Sequence, residues 1–215
     1  MKVLWFSVTP SLFHSYSNGH NGGGWIASLE RIVRQVQEVE LGIAFNFAAE
    51  GFVHEQDGVK YYPISHESLE TYKQIIDDFK PDLIQIFGSE NDFGRICDTT
   101  EVPVVIHMQG CLTPCHNALL PVGMSKTDFI LQKGLSLRYR YIGLRSESAF
   151  RKRAKRELQT IGKCRYFMGR TDWDHRLIDL FNPSATYFHC EEALRQSFLD
   201  GEEVWTGNED GTKRV

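Results

Sequence analysis

The sequence predicts an α/β domain with a Rossmann-like, doubly wound and mostly parallel sheet, and three observations support that fold class. Short apolar runs alternate with helical segments along the chain, which is typical of successive βαβ units. A glycine-rich loop separates the first predicted strand from the first predicted helix. The chain has 215 residues, 41% of them hydrophobic and 24% charged, so it is long enough for one domain with a substantial core.

The N-terminal part of the chain predicts a first βα unit followed by a hairpin. The apolar run Lys2–Val8 is expected to be a buried strand. Apolar residues recur at three- and four-residue steps over Trp25–Val39, the pattern of an amphipathic helix. We expect a second strand at Leu41–Ala48 and a hairpin over Phe52–Ile64, with its turn at Asp57-Gly58.

The rest of the chain continues the alternation. The predicted strands are Asp82–Phe87, Val102–Met108, Cys164–Met168 and Ala185–His189. The predicted helices are Glu67–Phe79, Asp92–Cys97, Leu144–Ile161, Thr171–Phe181 and Glu191–Phe198. The segment around Gly110, Pro114 and Pro121 is expected to be a loop. Residues 1–199 are therefore predicted to form one domain, and the polar residues 200–215 a linker.

Cysteine usage and hydropathy predict a cytoplasmic protein. The five cysteines are an odd number scattered along the chain, which favours reduced thiols over a secreted disulfide framework. No apolar run approaches the roughly 18 residues of a membrane-spanning helix. The N-terminus lacks the pattern of a signal peptide.

The glycine loop Gly22, Gly23 and Gly24 is the first candidate binding element. A strand, a glycine-rich loop and a helix in this order direct backbone N–H groups and the helix N-terminus at an anion. The spacing is not GxGxxG, and no GK[ST] follows, so dinucleotide and Walker A sites are not indicated. A surface turn is the alternative, and we favour a substrate-binding role.

Three polar side chains lie at or just after the carboxyl ends of predicted strands, where open α/β sheets bind ligands. His107 is expected to hydrogen-bond a sugar hydroxyl or a phosphate, or to carry a proton near neutral pH; a structural histidine is equally compatible. Glu90 is a candidate acceptor for sugar hydroxyl protons, or else a helix N-terminal carboxylate. Arg170 is a candidate partner for a phosphate or carboxylate, and Thr171 and Asp174 predict a capping box. The glycine loop and His107 are expected to share one edge of the sheet.

Two further patterns bear on partners. One is a group of metal-ligand types whose spacing fits no standard zinc site, so no metal is expected: His107, Cys111, Cys115 and His116. The other is the basic segment 133–165, which carries 11 of the 24 Lys and Arg but only two of the 28 Asp and Glu. A solvated helix face is the commoner explanation of such a segment, and a contact for an anionic membrane or another polyanion is the alternative. Nucleic acid is not expected, because the rest of the chain is acidic.

Taken in order, these motifs resemble the family-4 glycosyltransferases, whose fold is GT-B. The matching segments are Gly22–Gly24, Pro81–Ile84 leading into Gly88-Ser89-Glu90, Val105-Ile106-His107, Gly169–Asp174 and Tyr187–Arg195. The resemblance covers nearly the whole chain.

The resemblance implies the acceptor-side half of a two-domain enzyme that acts without metal or other cofactor. Gly23 and Gly24 would approach the donor diphosphate or the reacting sugar, and His107 would lie near the transferred sugar as the catalytic candidate. The enzyme would be a retaining, hexosyltransferase-type protein of polysaccharide biosynthesis, using a nucleotide-sugar donor and a sugar or lipid-linked acceptor. The donor-binding domain would follow residues 200–215, so this part alone is expected to be inactive.

Two other functions are compatible with the same sequence. One is a binding module that recognises a nucleotide or a carbohydrate without turnover. The other is one half of a sugar-nucleotide epimerase with the GT-B architecture.

Overall fold

The strands of the domain form one sheet. The computed structural model describes residues 1–13, 24–47, 53–132, 136–199 and 201. Within these ranges the eight strands are β1 (Lys2–Ser7), β2 (Glu40–Asn46), β3 (His54–Gln56), β4 (Val59–Ile64), β5 (Leu83–Phe87), β6 (Val104–His107), β7 (Tyr166–Gly169) and β8 (Thr186–His189). They are ordered β3-β4-β2-β1-β5-β6-β7-β8.

Helices connect most of the strands. They are α1 (Gly24–Val33), α2 (Leu69–Phe79), a 3₁₀ helix (Asp92–Asp98), α3 (Leu112–Asn117), α4 (Lys126–Leu131), α5 (Leu137–Ile161), α6 (Asp172–Phe181) and α7 (Gln196–Leu199). None of those within the described ranges combines the length and apolarity that a bilayer span requires.

The pairing of the strands confirms the predicted fold class. All adjacent strands are parallel except β3 and β4, which form the predicted antiparallel hairpin with its turn at Asp57-Gly58. The sheet is Rossmann-like and mostly parallel, as the alternation of strands and helices indicates.

Hydrophobic residues are buried on both faces of the sheet. Leu4 and Phe6 belong to a cluster shared with α2, the 3₁₀ helix, α5 and α6. Val3 and Trp5 alternate with them and belong to a second cluster shared with α1. Successive side chains of a strand point to opposite faces, so β1 contributes to both clusters and is buried on both sides. The sheet is therefore doubly wound.

The helices differ from the prediction where apolar residues face solvent. The first helix ends at Val33 rather than Val39, and Val36 is exposed, so no packing supports a continuation. The fifth helix begins at Leu137 rather than near Leu144.

The segment predicted as a loop around Gly110, Pro114 and Pro121 contains helices α3 and α4. Helix α4 begins with a capping box in which Ser125 and Asp128 each bond the other's backbone N–H. A Ser followed three residues later by Asp is a start signal that the sequence contained.

The prediction that all cysteines are reduced is wrong for one pair. Cys97, in the 3₁₀ helix, and Cys164, just before β7, form a disulfide. They are 67 residues apart in sequence, and only the packing of the 3₁₀ helix beside the end of α5 brings them together. Cys111, Cys115 and Cys190 are free. Because disulfides persist mainly in oxidising compartments, cysteine usage does not support a cytoplasmic location.

Close packing between β2 and α2 gives a test of the core. A Cβ added at Gly42 would lie 2.9 Å from the ring of the fully buried Phe79. We expect Gly42→Ala to lower the free energy of unfolding by about 1–3 kcal/mol, the usual cost of overpacking. A Cβ at Gly110 would meet nothing within 4 Å, so Gly110→Ala should change stability by less than about 0.5 kcal/mol. Urea unfolding measures both; equal stabilities would contradict this packing.

Candidate functional site

The carboxyl ends of β1, β5, β6 and β7 lie at one edge of the sheet, because these strands are parallel. His107 is the last residue of β6 and pairs with Phe87 of β5 and Met168 of β7. Helix α1 begins at Gly24, and its second residue, Trp25, contacts the His107 ring. The start of α1 and His107 therefore lie together at this edge.

The His107 imidazole is packed between two aromatic rings. The Trp25 ring meets it edge-on at a centroid distance of 5.1 Å, and the Phe87 ring stacks on it at 5.8 Å. Only 1% of the residue is exposed. Phe87 and His107 are register partners on neighbouring strands, which places their side chains side by side on one face.

Gln85 determines which nitrogen of His107 carries the proton. The Gln85 amide Nε2 lies 3.3 Å from His107 Nδ1 and 3.7 Å from Met168 Sδ. An amide NH₂ can only donate, so Nδ1 accepts and the neutral ring carries its proton on Nε2. His107 Nε2 is buried without a hydrogen-bond partner in the described structure, which costs about 1–3 kcal/mol. Among the described residues, this N–H donor therefore lacks an acceptor.

The environment of His107 favours the uncharged ring. Burial and, to a smaller extent, the nearby Arg170 guanidinium lower the pKa of His107 to about 4, although the Asp174 carboxylate opposes this shift. The ring is therefore neutral near pH 7. Of the two roles expected for His107, this environment fits the hydrogen-bond donor better than a group that exchanges protons near neutral pH.

The first residue of α1 is covered by a basic side chain. A Cβ added at Gly24 would lie 3.1 Å from Cδ and 3.2 Å from Nε of Arg195, an exposed residue that follows β8. The Arg195 guanidinium thus lies beside the partial positive charge of the helix N-terminus. Two adjacent positive charges of this kind favour the binding of an anion. Gly22 and Gly23 lie outside the described residues.

Glu90 belongs to a different group of side chains. Burial raises the pKa of Glu90, the Glu157 carboxylate raises it further, and Arg153 opposes the shift. Glu157 and Arg153 are both on α5, which packs on the face opposite to α1. The carboxylate of Glu90 also occupies the space beside Gly88, whose φ of 86° is in the left-handed region. The structure therefore places the Glu90 carboxylate near side chains of α5 and beside Gly88, whose N–H donates to the His107 carbonyl at 2.8 Å.

Glu157 connects α5 to this edge of the sheet. Its carboxylate is 1% exposed and accepts hydrogen bonds from Ser89 Oγ at 2.6 Å, the Leu112 backbone N–H at 2.7 Å and Cys111 Sγ at 3.3 Å. These donors follow β5 and β6. Glu157 could have been noticed in the sequence as an acidic residue within the basic segment 133–165. Its hydrogen-bond partners could not be predicted from the sequence.

Arg170 has a protein partner. It is exposed and forms an ion pair with Glu192, which follows β8. The capping box predicted at Thr171 and Asp174 is confirmed: Asp174 N–H donates to Thr171 Oγ1 at 3.1 Å, and Thr171 N–H donates to the Asp174 carboxylate at 3.3 Å.

Sequence reasoning missed three members of the site, Trp25, Gln85 and Arg195. Gln85 is a polar residue within the apolar strand LIQIF, a signal that would have marked it. In the ranges that the structure covers, no cluster of three or more His, Cys, Asp or Glu is placed to hold a metal ion.

The fold is shared with known structures at low sequence identity. No family model and no curated protein matches the sequence. Sucrose-phosphate synthase from Thermosynechococcus elongatus matches with a TM-score of 0.55 and 8% identity, over 87% of this chain and 47% of that chain. UDP-GlcNAc 2-epimerase from Neisseria meningitidis matches with a TM-score of 0.37 and 12% identity, over 93% and 74%. The chain spans about half of the synthase, and that likeness establishes a common fold.

The lowered pKa of His107 predicts a specific dependence of stability on pH. Because the folded-state pKa is about 4 and the unfolded value is about 6.5, the unfolded chain binds the extra proton between these pH values. Stability is therefore retained above about pH 6.5 and lost as the pH falls toward 4. When the pH falls from 7 to 4, the free energy of unfolding of the wild type should therefore decrease by about 3 kcal/mol more than that of His107→Gln. Urea unfolding at a series of pH values measures this difference, and parallel pH profiles would refute the assignment.

Proposed function

We propose that this chain is the acceptor-side half of a retaining GT-B glycosyltransferase. The enzyme would transfer a hexose from a nucleotide-diphosphate donor to a sugar or lipid-linked acceptor. The observation that carries the proposal is the neutral His107 ring, whose buried Nε2–H donor lies beside the start of α1 at the carboxyl edge of the sheet.

His107 would act as a fixed hydrogen-bond donor to the transferred sugar. A donor that is already oriented in a buried site can stabilise charge that develops on oxygen without reorganising. Gln85 would be a positioning residue, since its contact with Nδ1 keeps the proton on Nε2.

The start of α1 would bind the diphosphate or the reacting sugar. The helix N-terminus and Arg195 together supply positive charge at Gly24, and the glycines Gly22 and Gly23 would extend this cradle. Arg170 would also bind the phosphate if the phosphate replaced Glu192 as its ion-pair partner. Catalysis would then rest on positioning and on stabilisation of the leaving diphosphate.

Glu90 would serve the acceptor. Its place at the carboxyl edge, near side chains of α5, suits a group that accepts hydrogen bonds from acceptor hydroxyls. The nucleotide itself would bind mainly to a second half, because this chain spans only 47% of the synthase whose fold it shares.

A turnover assay tests the proposal in the protein that carries both halves. Nucleotide release is followed with UDP-, GDP- and ADP-sugars in the presence of oligosaccharide or lipid-linked acceptors. His107→Ala should lower kcat by roughly 10²–10³, with no change in His175→Ala, a control at an exposed histidine on α6. Wild-type turnover in His107→Ala would remove His107 from the chemistry.

Calorimetry on this chain alone separates the proposal from a binding module. The proposal expects weak binding of UDP and UDP-glucose, because most nucleotide contacts would lie in the other half. Tight nucleotide binding here, together with no turnover by the longer protein, would favour the module.

A further inference from the structure

Helix α5 extends well past the sheet. It has 25 residues, which corresponds to about 37 Å at 1.5 Å per residue. Glu157, near its C-terminal end, contacts the segments that follow β5 and β6, so this residue marks the carboxyl edge. Residues 137–156 precede Glu157 and make up about 30 Å of helix beyond this contact, and α3 and α4 pack against α5.

The projecting part of α5 exposes a row of large apolar side chains. Leu137, Tyr141 and Leu144 are 80%, 63% and 46% exposed. They recur at steps of four and three residues, so they lie on one face of the helix. Large apolar side chains grouped on one solvent-exposed helix face are a feature of interaction surfaces.

The same face becomes basic in its second half. Arg145, Lys152 and Lys155 continue the row at helical spacing and are exposed. Within the described residues, none of these three lies within 4 Å of a carboxylate, and Glu147 of the same helix is engaged by Lys126. We call the six residues Leu137, Tyr141, Leu144, Arg145, Lys152 and Lys155 the α5 face.

We propose that the α5 face docks on the surface of a bilayer that contains anionic phospholipids. The apolar half would enter the interface between headgroups and acyl chains, with the Tyr141 ring at headgroup level. The cationic half would lie against the negative headgroups. Charge complementarity supports this occupant, because the segment 133–165 holds 11 of the 24 basic residues and only two of the 28 acidic residues, and such a segment is attracted to a negative surface.

The composition of the face favours lipid over a macromolecular partner. Lysine is depleted in buried protein interfaces, whereas apolar residues bordered by Lys and Arg are typical of helices that lie in a membrane interface. Single-stranded nucleic acid is held by aromatic stacking, and Leu137 and Leu144 cannot stack. The proposal does not depend on the glycosyltransferase assignment.

Vesicle flotation with the full chain tests the proposal. The probes are phosphatidylcholine vesicles and vesicles of phosphatidylcholine mixed with phosphatidylglycerol, at low salt. One variant combines Arg145→Glu, Lys152→Glu and Lys155→Glu, and a second combines Leu137→Ser, Tyr141→Ser and Leu144→Ser. A matched control makes the same charge change at exposed basic residues elsewhere, Arg31→Glu, Lys73→Glu and Arg176→Glu.

The wild type and the control should bind the anionic vesicles more tightly than the neutral ones. Each basic residue at such a surface contributes about fivefold to the partition coefficient, so the first variant should lose at least roughly a hundredfold. The serine variant should also lose binding, and salt should weaken binding by the wild type.

Three results would overturn the proposal. They are no flotation of the wild type, equal losses in the basic variant and its control, and a solution dimer of the wild type that the serine variant abolishes. The last result would assign the α5 face to a second copy of the chain. Circular dichroism of each variant verifies that the helices are retained.

Discussion

Removal of the His107 imidazole from water is the interaction on which the chemistry of this edge depends. The ring sits between Trp25 and Phe87, and this burial keeps it uncharged at neutral pH. This burial depends on the fold. The pairing of β5 with β6 places Phe87 beside His107, and the packing of α1 on the sheet places Trp25 against the ring. Gln85 then selects the nitrogen that carries the proton. A neutral donor held rigidly is suited to bind an oxygen atom and unsuited to exchange protons near pH 7.

The carboxyl edge has two sides with different chemistry. On the α1 side lie the helix N-terminus, Arg195 and His107, which under the proposed function would bind the diphosphate and the sugar. On the α5 side, Glu157 ties the segments after β5 and β6 to a helix that extends far past the edge. If α5 rests on a bilayer, that second side faces the lipid, and a lipid-linked acceptor would reach the edge from there. The proposed glycosyl transfer and the proposed membrane docking are therefore compatible with each other.

Local sequence patterns predicted the fold, but they did not predict the contacts of the candidate site. The strand alternation predicted the parallel sheet, and Asp57-Gly58 predicted the hairpin, because both depend on near neighbours in sequence. Contacts across neighbouring strands, such as Gln85 with His107, depend on a register that a single sequence does not reveal. The Cys97–Cys164 disulfide and the contact between Trp25 and His107 are long-range in the same way. The start of α5 was missed because its exposed apolar residues disrupt the usual amphipathic pattern.

The tautomer of His107 tests the central claim most directly. Long-range ¹H–¹⁵N correlation spectra of the histidine side chains, recorded between about pH 5 and 8, distinguish Nε2–H, Nδ1–H and the imidazolium. The wild type should show a proton on Nε2 at every pH in this range. Gln85→Glu should move the proton to Nδ1, because a carboxylate only accepts. A wild-type ring that is protonated on Nδ1, or that titrates near its ordinary pKa of about 6.5, would contradict the account.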